Sequence, residues 1–223
     1  MKTVALIPAF NEARTIDAVV SGVSPHVEHV LVVDDGSTDE TVRLARAAGA
    51  EVLAQPVNRG KGQAVRTGLA RLAAGPFTHV LILDGDLQHK PDEASRLIET
   101  AWRTKADLVI GQRQFRRDSM PTSRYYANRI GSRALSALVG TPLSDTQCGF
   151  RVCSLDALGR VRLRARGYDI ETEMLIKLRR RGATVVGVPV SAVYAGEHSK
   201  LRPVRDTMKT CFLAVYYRYL ERL

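Results

Sequence analysis

Short apolar runs alternate with helix-like segments through the first half of the chain, and this alternation limits the fold more than any other sequence feature. The apolar runs are residues 3–10, 29–36, 51–56, 77–86 and 106–113. Between them, apolar residues recur with the spacing of an amphipathic helix, as in the segment from Ile16 to Val23. Buried strands separated by helices are typical of a parallel sheet that is covered on both faces. The sequence therefore predicts an α/β fold.

The pattern changes after residue 113. The later segments are a basic loop with a long helix (114–140), a loop or short strand (145–154), a helix (167–182), a strand containing Pro189 (183–194) and a terminal helix (204–223). No repeat or linker divides the chain, so one domain over residues 1–203 is the simplest interpretation. The terminal helix, residues 204–223, mixes apolar and charged residues at helical spacing, which predicts packing on the domain or on a membrane surface.

Charge and composition narrow the possible partners. The chain has 33 Lys and Arg residues against 23 Asp and Glu residues, a formal charge of +10, which favours nucleic acid, phosphorylated ligands or an acidic membrane. No helix-turn-helix, zinc spacing or RNA-binding aromatic pattern supports nucleic acid. The sequence has neither a signal-peptide pattern nor an apolar run near the roughly 20 residues that cross a bilayer. We therefore expect a cytoplasmic protein that attaches peripherally to the cytoplasmic face of the membrane.

Acidic residues follow three of the predicted strands. They are Glu12 after the first strand, Asp34 and Asp35 after the second, and Asp84 and Asp86 after the fourth. Ligands of parallel sheets bind outside the carboxyl ends of the strands, so these carboxylates are expected to share one crevice. They would repel one another unless a cation or hydrogen-bond donors joined them. A divalent metal bridging a diphosphate answers that requirement, because Mg²⁺ and Mn²⁺ prefer oxygen ligands.

The segment Asp84-Gly85-Asp86-Leu87-Gln88 is the strongest site candidate. Its spacing lets two carboxylates share a turn, while Gly85 lets a ligand approach the backbone and Gln88 offers a neutral oxygen. A lone pair of aspartates is usually a solvated turn, but this pair directly follows a buried strand and accompanies the upstream acids. Two other phosphate sites are excluded, because residues 58–62 lack the Walker A spacing and residues 8–13 lack the glycines of a dinucleotide fingerprint.

Seven sequence blocks resemble glycosyltransferase family two, and within it the polyprenyl-phosphate (dolichol-phosphate) hexosyltransferases, dolichol-phosphate mannosyltransferase-like enzymes among them. In chain order they are IPAFNE, VVDDGSTDET, NRGKGQAVRTG, LDGDLQHKPDE, IGQR, DTQCGFRV and the SK pair at 199–200. The resemblance implies a GT-A fold, a mostly parallel central sheet flanked by helices. It also implies inverting transfer of a hexose from a GDP- or UDP-sugar to a polyprenyl phosphate with Mg²⁺ or Mn²⁺. A membrane surface, with or without a membrane subunit, would be a further partner.

The same resemblance implies a role for each matching residue. The nucleotide-sugar set is Pro8, Phe10, Glu12, Val33, Asp35, Lys61, Asp84, Gly85, Asp86, Gln88, Arg113 and Lys200. Within it, Asp86 and Gln88 would bind the metal. The implied catalytic set is Asp86, Arg113, Asp145 and Lys200, and the acceptor phosphate would contact Arg113, Arg124 and Asn128.

Two positions depart from the family pattern. Phe10 replaces a tyrosine that is common there, which keeps the ring and removes a hydroxyl. Some relatives carry an arginine a few residues before the position of Lys200, where this chain has Tyr194 and Gly196. This second departure affects the residues available to coordinate the diphosphate from that loop.

The identity of the acceptor decides whether a general base is needed. A phosphate acceptor is already anionic, whereas a hydroxyl acceptor requires a carboxylate that takes its proton. Asp145, Glu171 and Glu173 are the candidate bases, with a turn-capping role as the alternative for Asp145. The same fold acting on a soluble hydroxyl or polysaccharide acceptor is the alternative function. A phosphoacceptor receiver module is disfavoured, because its paired acids would follow the first strand.

Several further expectations can be compared with the structure. A basic cluster, Arg116, Arg117, Arg124, Arg129 and Arg133, is interpreted as a lipid-phosphate and membrane site. His89 is not expected to bind the metal, and Trp102 is expected in the core. Ser37 or Thr38 is expected to cap the second helix. The three cysteines, Cys148, Cys153 and Cys211, are expected to be reduced and to be buried or half-buried.

Overall fold

The computed structural model describes residues 1–113, 122–191, 212 and 215–220. Seven strands form one sheet. They are β1 (Thr3–Ala9), β2 (His29–Asp34), β3 (Glu51–Ala54), β4 (His79–Ile82), β5 (Leu108–Arg113), β6 (Arg151–Ser154) and β7 (Val185–Val190). The strand order is β3-β2-β1-β4-β6-β5-β7. The apolar runs of the first half are therefore strands, as predicted.

Helices connect the strands. They are α1 (Ile16–Val23), α2 (Thr41–Ala47), α3 (Lys61–Leu72), α4 (Ala94–Thr104), α5 (Thr122–Val139), α6 (Leu155–Gly159) and α7 (Ile170–Arg180). Short 3-10 turns cover Ser24–His26 and Pro91–Glu93, and a π-helical turn covers Tyr216–Leu220. The predicted apolar face of α1 is buried in full. None of the helices described here has both the length and the apolar character needed to span a membrane.

One strand runs against the others, and this determines where the site lies. β6 pairs antiparallel with β4 and β5, whereas every other pair of neighbouring strands is parallel. Its first residue, Arg151, is opposite Ile82 near the end of β4 and opposite Ile110 in β5. The loop that enters β6 therefore reaches the same edge of the sheet as the carboxyl ends of β1, β2, β4 and β5. Both halves of the chain contribute to that edge.

Two local expectations were wrong. Trp102 is 57% exposed, because α4 buries Ala94, Leu97 and Ala101 and Trp102 falls outside that face. The second helix begins at Thr41, and neither predicted residue caps it with its side chain. The Ser37 hydroxyl instead accepts a hydrogen bond from the backbone of the loop after β1.

Candidate active site

The loops that follow β1 and β2 are joined by side-chain hydrogen bonds to backbone. Asn11 N–H donates to Ser37 Oγ at 2.8 Å, and Thr38 N–H donates to Asn11 Oδ1 at 2.9 Å. Glu12 N–H donates to Thr41 Oγ1 at 2.8 Å. Asn11 has a φ of +57°, a left-handed conformation that asparagine tolerates better than most residues. The two loops are thus fixed before any ligand arrives.

Three of the predicted nucleotide residues lie beside these loops. Pro8 and Val33 are buried partners in the ladder between β1 and β2. Phe10 follows them and leaves its ring 37% exposed. An exposed ring beside a rigid apolar floor can stack on a flat ligand.

Asp35 holds the glycine-rich turn before α3. Its two carboxylate oxygens accept hydrogen bonds from Arg59 N–H at 2.8 Å and Gly60 N–H at 2.7 Å. Gly60 has a φ of +94°, and a Cβ there would lie 2.4 Å from the Arg166 carbonyl oxygen, so only glycine fits. The predicted ribose or base contact of Asp35 would use the remaining lone pairs of these oxygens.

Lys61, the first residue of α3, connects acids from both halves of the chain. Its Nζ lies 2.6 Å from Asp84 Oδ1 and 2.6 Å from Glu171 Oε1, and only 11% of its side chain is exposed. Burial acts to lower the pKa of Lys61, but the two carboxylates outweigh it and raise the pKa above its ordinary value. Burial acts to raise the pKa of Asp84, and Lys61 outweighs that effect and lowers it. Both groups are therefore charged at neutral pH.

Two neighbours enclose this ion triad of Lys61, Asp84 and Glu171. A Cβ at Gly149 would lie 2.6 Å from Asp84 Oδ2 and 3.0 Å from Lys61 Nζ, so the backbone there packs directly on the ions. The Tyr168 ring lies over Lys61, with 5.7 Å between Nζ and the ring centroid. The sequence predicted Lys61 and Asp84 at the site, but it did not predict that Glu171 pairs with Lys61.

The Asp84–Gln88 turn follows β4 and is hydrogen-bonded to the segment after β1. Thr15 Oγ1 donates to the Gly85 carbonyl oxygen at 2.6 Å. Leu87 has a φ of +57°, which folds the chain so that Gln88 N–H donates to Asp86 Oδ1 at 3.0 Å. The predicted metal ligands, Asp86 and Gln88, therefore belong to one tight turn.

This turn suits a metal ion for which the protein supplies only some of the ligands. In residues 1–113, 122–191 and the few described beyond them, no three His, Cys, Asp or Glu side chains cluster as a complete metal cage. Asp84 is held by Lys61, which leaves Asp86 and Gln88 as the oxygen donors of the turn. Mg²⁺ is commonly bound by one or two carboxylates and completed by substrate phosphates and water. The residues present fit a cation of that kind.

Arg113, at the end of β5, forms a two-pronged ion pair with Asp145. Arg113 Nε lies 2.5 Å from Asp145 Oδ2, and Nη2 lies 3.2 Å from Oδ1. The Gln112 amide holds the same loop, because its Nε2 donates to Asp145 O and its Oε1 accepts from Asp145 N, both at 2.8 Å. The Ser144 N–H also donates to Gln112 Oε1, at 2.5 Å. The structure thus brings Arg113 and Asp145 together at the site edge.

His89 is part of the packing beside the turn. It is buried, stacks on Phe150 with 5.4 Å between ring centroids, and places Nε2 3.6 Å from Cys148 Sγ. Burial and the nearby Arg113 lower the pKa of His89 to about 4, so its imidazole is neutral. Cys148 and Cys153 are buried free thiols, as expected.

Glu173 is fully buried and structural. Its carboxylate accepts hydrogen bonds from Arg164 N–H and Ala165 N–H and lies 2.6 Å from Lys177 Nζ. This arrangement fixes the segment before α7 and contradicts the candidate role of Glu173 as a general base. The i,i+4 spacing of Glu173 and Lys177 could have indicated their pairing.

Some predicted site residues cannot be located. Lys200, Arg116, Arg117 and Cys211 lie outside the described residues, as do the side chains of Arg124 and Asn128 in α5. Arg129 and Arg133 are exposed on α5. The predicted terminal helix is described only at residues 212 and 215–220. There, Arg180 Nη1 donates to the Tyr217 carbonyl oxygen at 2.5 Å, so this part packs on α7.

The sheet order and the acidic turn at its carboxyl edge define a class of protein. A mostly parallel seven-stranded sheet with one internal antiparallel strand, flanked by helices, is the GT-A architecture that the sequence implied. The sequence profile of glycosyl transferase family 2 matches residues 4–162. The chain belongs to this family and is a glycosyltransferase.

Curated relatives extend the similarity over nearly the whole chain. The glycosyltransferase AglJ of Haloferax volcanii is 35% identical over 218 residues, which is 96% of this chain and 70% of the relative. The undecaprenyl-phosphate mannosyltransferase of Micrococcus luteus is 32% identical over 206 residues, 86% of this chain and 84% of the relative. The chain is also 27% identical to the dolichol-phosphate mannosyltransferase of Pyrococcus furiosus, covering all of this chain and 64% of that protein.

Solved structures support the fold. The glucosyl-3-phosphoglycerate synthase of Mycobacterium tuberculosis, crystallised with Mn²⁺ and UDP-glucose, superposes with a TM-score of 0.74 at 24% identity. The alignment covers 97% of this chain and 78% of that one. This degree of similarity establishes the shared fold and no more.

Proposed function

We propose that this glycosyltransferase transfers a hexose from a nucleoside-diphosphate sugar to a polyprenyl phosphate, with inversion at the sugar C1. One observation carries the choice of acceptor. Every candidate general base already pairs with a cation: Asp145 with Arg113, Glu171 through Oε1 with Lys61, and Glu173 with Lys177. A hydroxyl acceptor needs a base, whereas a phosphate acceptor is already ionised. Relatives that are named polyprenyl-phosphate sugar transferases agree with this choice.

The donor would lie along the edge built by β1, β2 and β4. Pro8, Phe10 and Val33 would contact the base, while Glu12 and Asp35 would receive ribose or base hydrogen bonds. Lys61 keeps Asp84 ionised, and Asp84 would face the nucleotide sugar. Because the loops after β1 and β2 are already joined, little ordering is needed when the donor binds.

The leaving diphosphate requires stabilisation of its growing negative charge. Asp86 and Gln88 would hold a divalent Mg²⁺ or Mn²⁺ ion, which supplies electrostatic neutralisation of that charge when bound. Lys200, outside the described residues, would neutralise the same group. Arg113 would contact the acceptor phosphate, and Asp145 fixes its orientation through two hydrogen bonds.

A lipid acceptor requires attachment to a membrane surface. α5 exposes Arg129, Ile130 and Arg133, a combination of basic and apolar side chains that suits anionic headgroups. With Arg124 and Asn128 on the same helix, α5 would approach the lipid phosphate. We propose peripheral attachment at the cytoplasmic face, with or without a membrane subunit.

A donor and acceptor screen tests this function. The full chain would be incubated with UDP- and GDP-hexoses, with Mn²⁺ or Mg²⁺, and with a short polyprenyl phosphate. The matched control is the corresponding polyprenol, which lacks only the phosphate. We expect nucleotide release and labelled lipid only with the phosphorylated lipid.

The same screen includes soluble acceptors such as a phosphorylated glycerate and a free sugar. Transfer to these, with no response to the polyprenyl phosphate, would exclude the lipid acceptor and favour the soluble alternative. Transfer to the unphosphorylated polyprenol would contradict the argument from the occupied bases.

A further inference from the structure

Arg151 is a buried cation at the centre of the sheet. It is the first residue of β6, lies between Ile82 and Ile110 of the flanking strands, and is only 1% exposed. Arginine is rarely buried without partners, because removing its charge from water is unfavourable. A buried arginine at this position therefore requires a reason.

The guanidinium group of Arg151 donates to three backbone carbonyl oxygens. Nε donates to Cys148 O at 2.6 Å, Nη2 to Thr146 O at 2.8 Å, and Nη1 to Glu171 O at 2.8 Å. Within the described part of the chain, Arg151 forms no ion pair with a carboxylate. Carbonyl dipoles from two separate segments therefore balance its charge, and the planar fork of donors fixes their relative positions.

Each of these two segments carries a member of a different ion cluster, and Gly149 of the first segment also packs on Asp84 and Lys61. Thr146 and Cys148 belong to the loop entering β6, whose Asp145 orients Arg113. Glu171 is in the first turn of α7, and its side chain pairs with Lys61, which in turn holds Asp84. Arg151 contacts no charged group of either ion cluster; it is bonded to the main chain of Glu171 and to the main chain of the loop that carries Asp145.

We infer that Arg151 is a positioning residue that holds the acceptor-side Arg113–Asp145 pair at a fixed distance from the donor-side Lys61–Asp84–Glu171 triad. This inference rests on the proposed function, since it assigns donor and acceptor to these two clusters. Transfer between two bound substrates is sensitive to their separation, and a displacement of about 1 Å can lower the rate about 100-fold.

Arg151→Lys is the informative variant. Lysine keeps the positive charge but presents it as a point at the end of a flexible stem, so it cannot bind three carbonyls in one plane. Arg160→Lys is the matched control, because Arg160 ends α6 on the surface and pairs only with exposed Asp156 within the described residues. Both variants would be compared with the unmodified protein at a temperature below the melting temperatures of all three.

Kinetics provide the first measurement. We expect Arg151→Lys to lower kcat about 100-fold, while the affinity for the nucleoside diphosphate with Mn²⁺ stays within about threefold of the unmodified protein. The nucleotide loops are held by Asp35, Asn11 and Ser37, none of which contacts Arg151. A purely structural role would lower the melting temperature and leave kcat per folded molecule unchanged, and that result would overturn the inference.

Thiol labelling provides a measurement that needs no activity. Cys148 lies in the loop that Arg151 holds, whereas Cys153 lies within β6 and is held by the strand ladders. We expect Arg151→Lys to speed alkylation of Cys148 at least about 10-fold, with Cys153 unchanged, as read by peptide mass spectrometry. Equal acceleration of both thiols indicates global unfolding and contradicts a local role.

The two measurements separate the inference from the proposed function. If the unmodified protein transfers no hexose to any acceptor, the proposed function fails, and labelling alone decides whether Arg151 holds the loop. If transfer occurs and Arg151→Lys retains kcat within about threefold, the proposed function stands and the positioning role is wrong.

Discussion

The two halves of the site edge are held by different kinds of interaction. In residues 1–113, carboxylates and hydroxyls accept hydrogen bonds from main-chain amides, as Asp35 does from the turn before α3. In residues 122–191, buried cations pair with carboxylates or with carbonyls, as in the Glu173–Lys177 pair and at Arg151. Apart from the Lys61–Asp84 pair, the first half depends on hydrogen bonds to the backbone, and the second depends on charged side chains.

This difference has an energetic consequence. A main-chain amide is present whatever side chain its residue carries. Substitutions at the residues that donate these amides therefore leave the hydrogen bonds of the first half intact. Removing one member of a buried ion pair leaves an uncompensated charge and typically destabilises a protein by about 3–5 kcal/mol. Substitutions in the first half should therefore change ligand binding, whereas those in the second should change stability and rate together.

Asp86→Ala should produce the largest loss of activity with the smallest change in fold. The Asp86 side chain is half-buried in a turn, and its loss would remove the only carboxylate we assign to the metal. We expect transfer to fall more than about 1000-fold, with the free energy of unfolding changed by less than about 1 kcal/mol. Initial rates across a Mn²⁺ titration, together with urea unfolding, measure both quantities.

The control for that variant is Asp92→Ala, an exposed aspartate six positions further on. It should keep full metal-dependent activity. Full activity in Asp86→Ala would contradict the assignment of Asp86 as a metal ligand. A large loss of stability in this variant would contradict the expectation that substitutions in the first half change ligand binding.

Lys61→Met should affect both properties, because Lys61 belongs to the first half and pairs with Glu171 of the second. It leaves Asp84 and Glu171 as neighbouring buried carboxylates. We expect a loss of about 3 kcal/mol in the free energy of unfolding and about 100-fold in kcat/KM. Lys105→Met, at an exposed lysine after α4, is the control and should change neither.

The effect of Lys61→Met should also depend on pH. Lys61 lowers the pKa of Asp84 below its ordinary value of 3.8, so the stability gained is present above that pH and is lost as the pH falls through the folded-state value. The difference between the two proteins in free energy of unfolding should stay constant at neutral pH and narrow in acid. A difference that widens in acid would contradict the ion triad.

The sequence predicted the first half well for a physical reason. Its strands are continuous apolar runs, three of which are followed by acids, and both signals are local. For β6 the sequence predicts only a loop or short strand, because four residues that begin with an arginine carry no clear period. The parallel order alone does not indicate that one strand is reversed. The family resemblance, and not the strand pattern, is what placed Asp145 at the site.

Local sequence patterns also fail to indicate which side chains of the site pair with one another. The sequence predicted Asp84 and Asp86 from their position after a strand, and the family resemblance implied Lys61. The Arg113–Asp145 and Lys61–Glu171 pairs join residues 32 and 110 positions apart, and no local pattern connects such residues. Arg151 was missed because arginine is normally read as a surface residue.

Asp145→Asn tests the second half with a change of one charge. Asparagine keeps the shape of the side chain but leaves Arg113 without its ionic partner, so Arg113 loses its fixed orientation. We expect kcat to fall about 10- to 30-fold and the free energy of unfolding to fall by about 2 kcal/mol. Steady-state kinetics with varied polyprenyl phosphate and urea unfolding measure these changes.

Asp156→Asn is the control for Asp145→Asn, because Asp156 also pairs with an arginine but does so on the surface. Exposed pairs contribute little, so this variant should match the unmodified protein. An equal effect of the two substitutions would contradict the special role of buried pairs in the second half.

An effect confined to alkaline pH concerns the two buried thiols of the second half. Burial raises the pKa of Cys148 and of Cys153 to about 12, from an ordinary value of 9.0. The unfolded chain loses these protons first as the pH rises above 9.0, so each thiol lowers stability by about 1.4 kcal/mol per pH unit in that range. Replacing both with alanine should make the alkaline decline in the free energy of unfolding shallower. Equal slopes for the two proteins between about pH 9.5 and pH 11 would show that the thiols ionise without unfolding, and that this part of the second half admits water more readily than its buried charges imply.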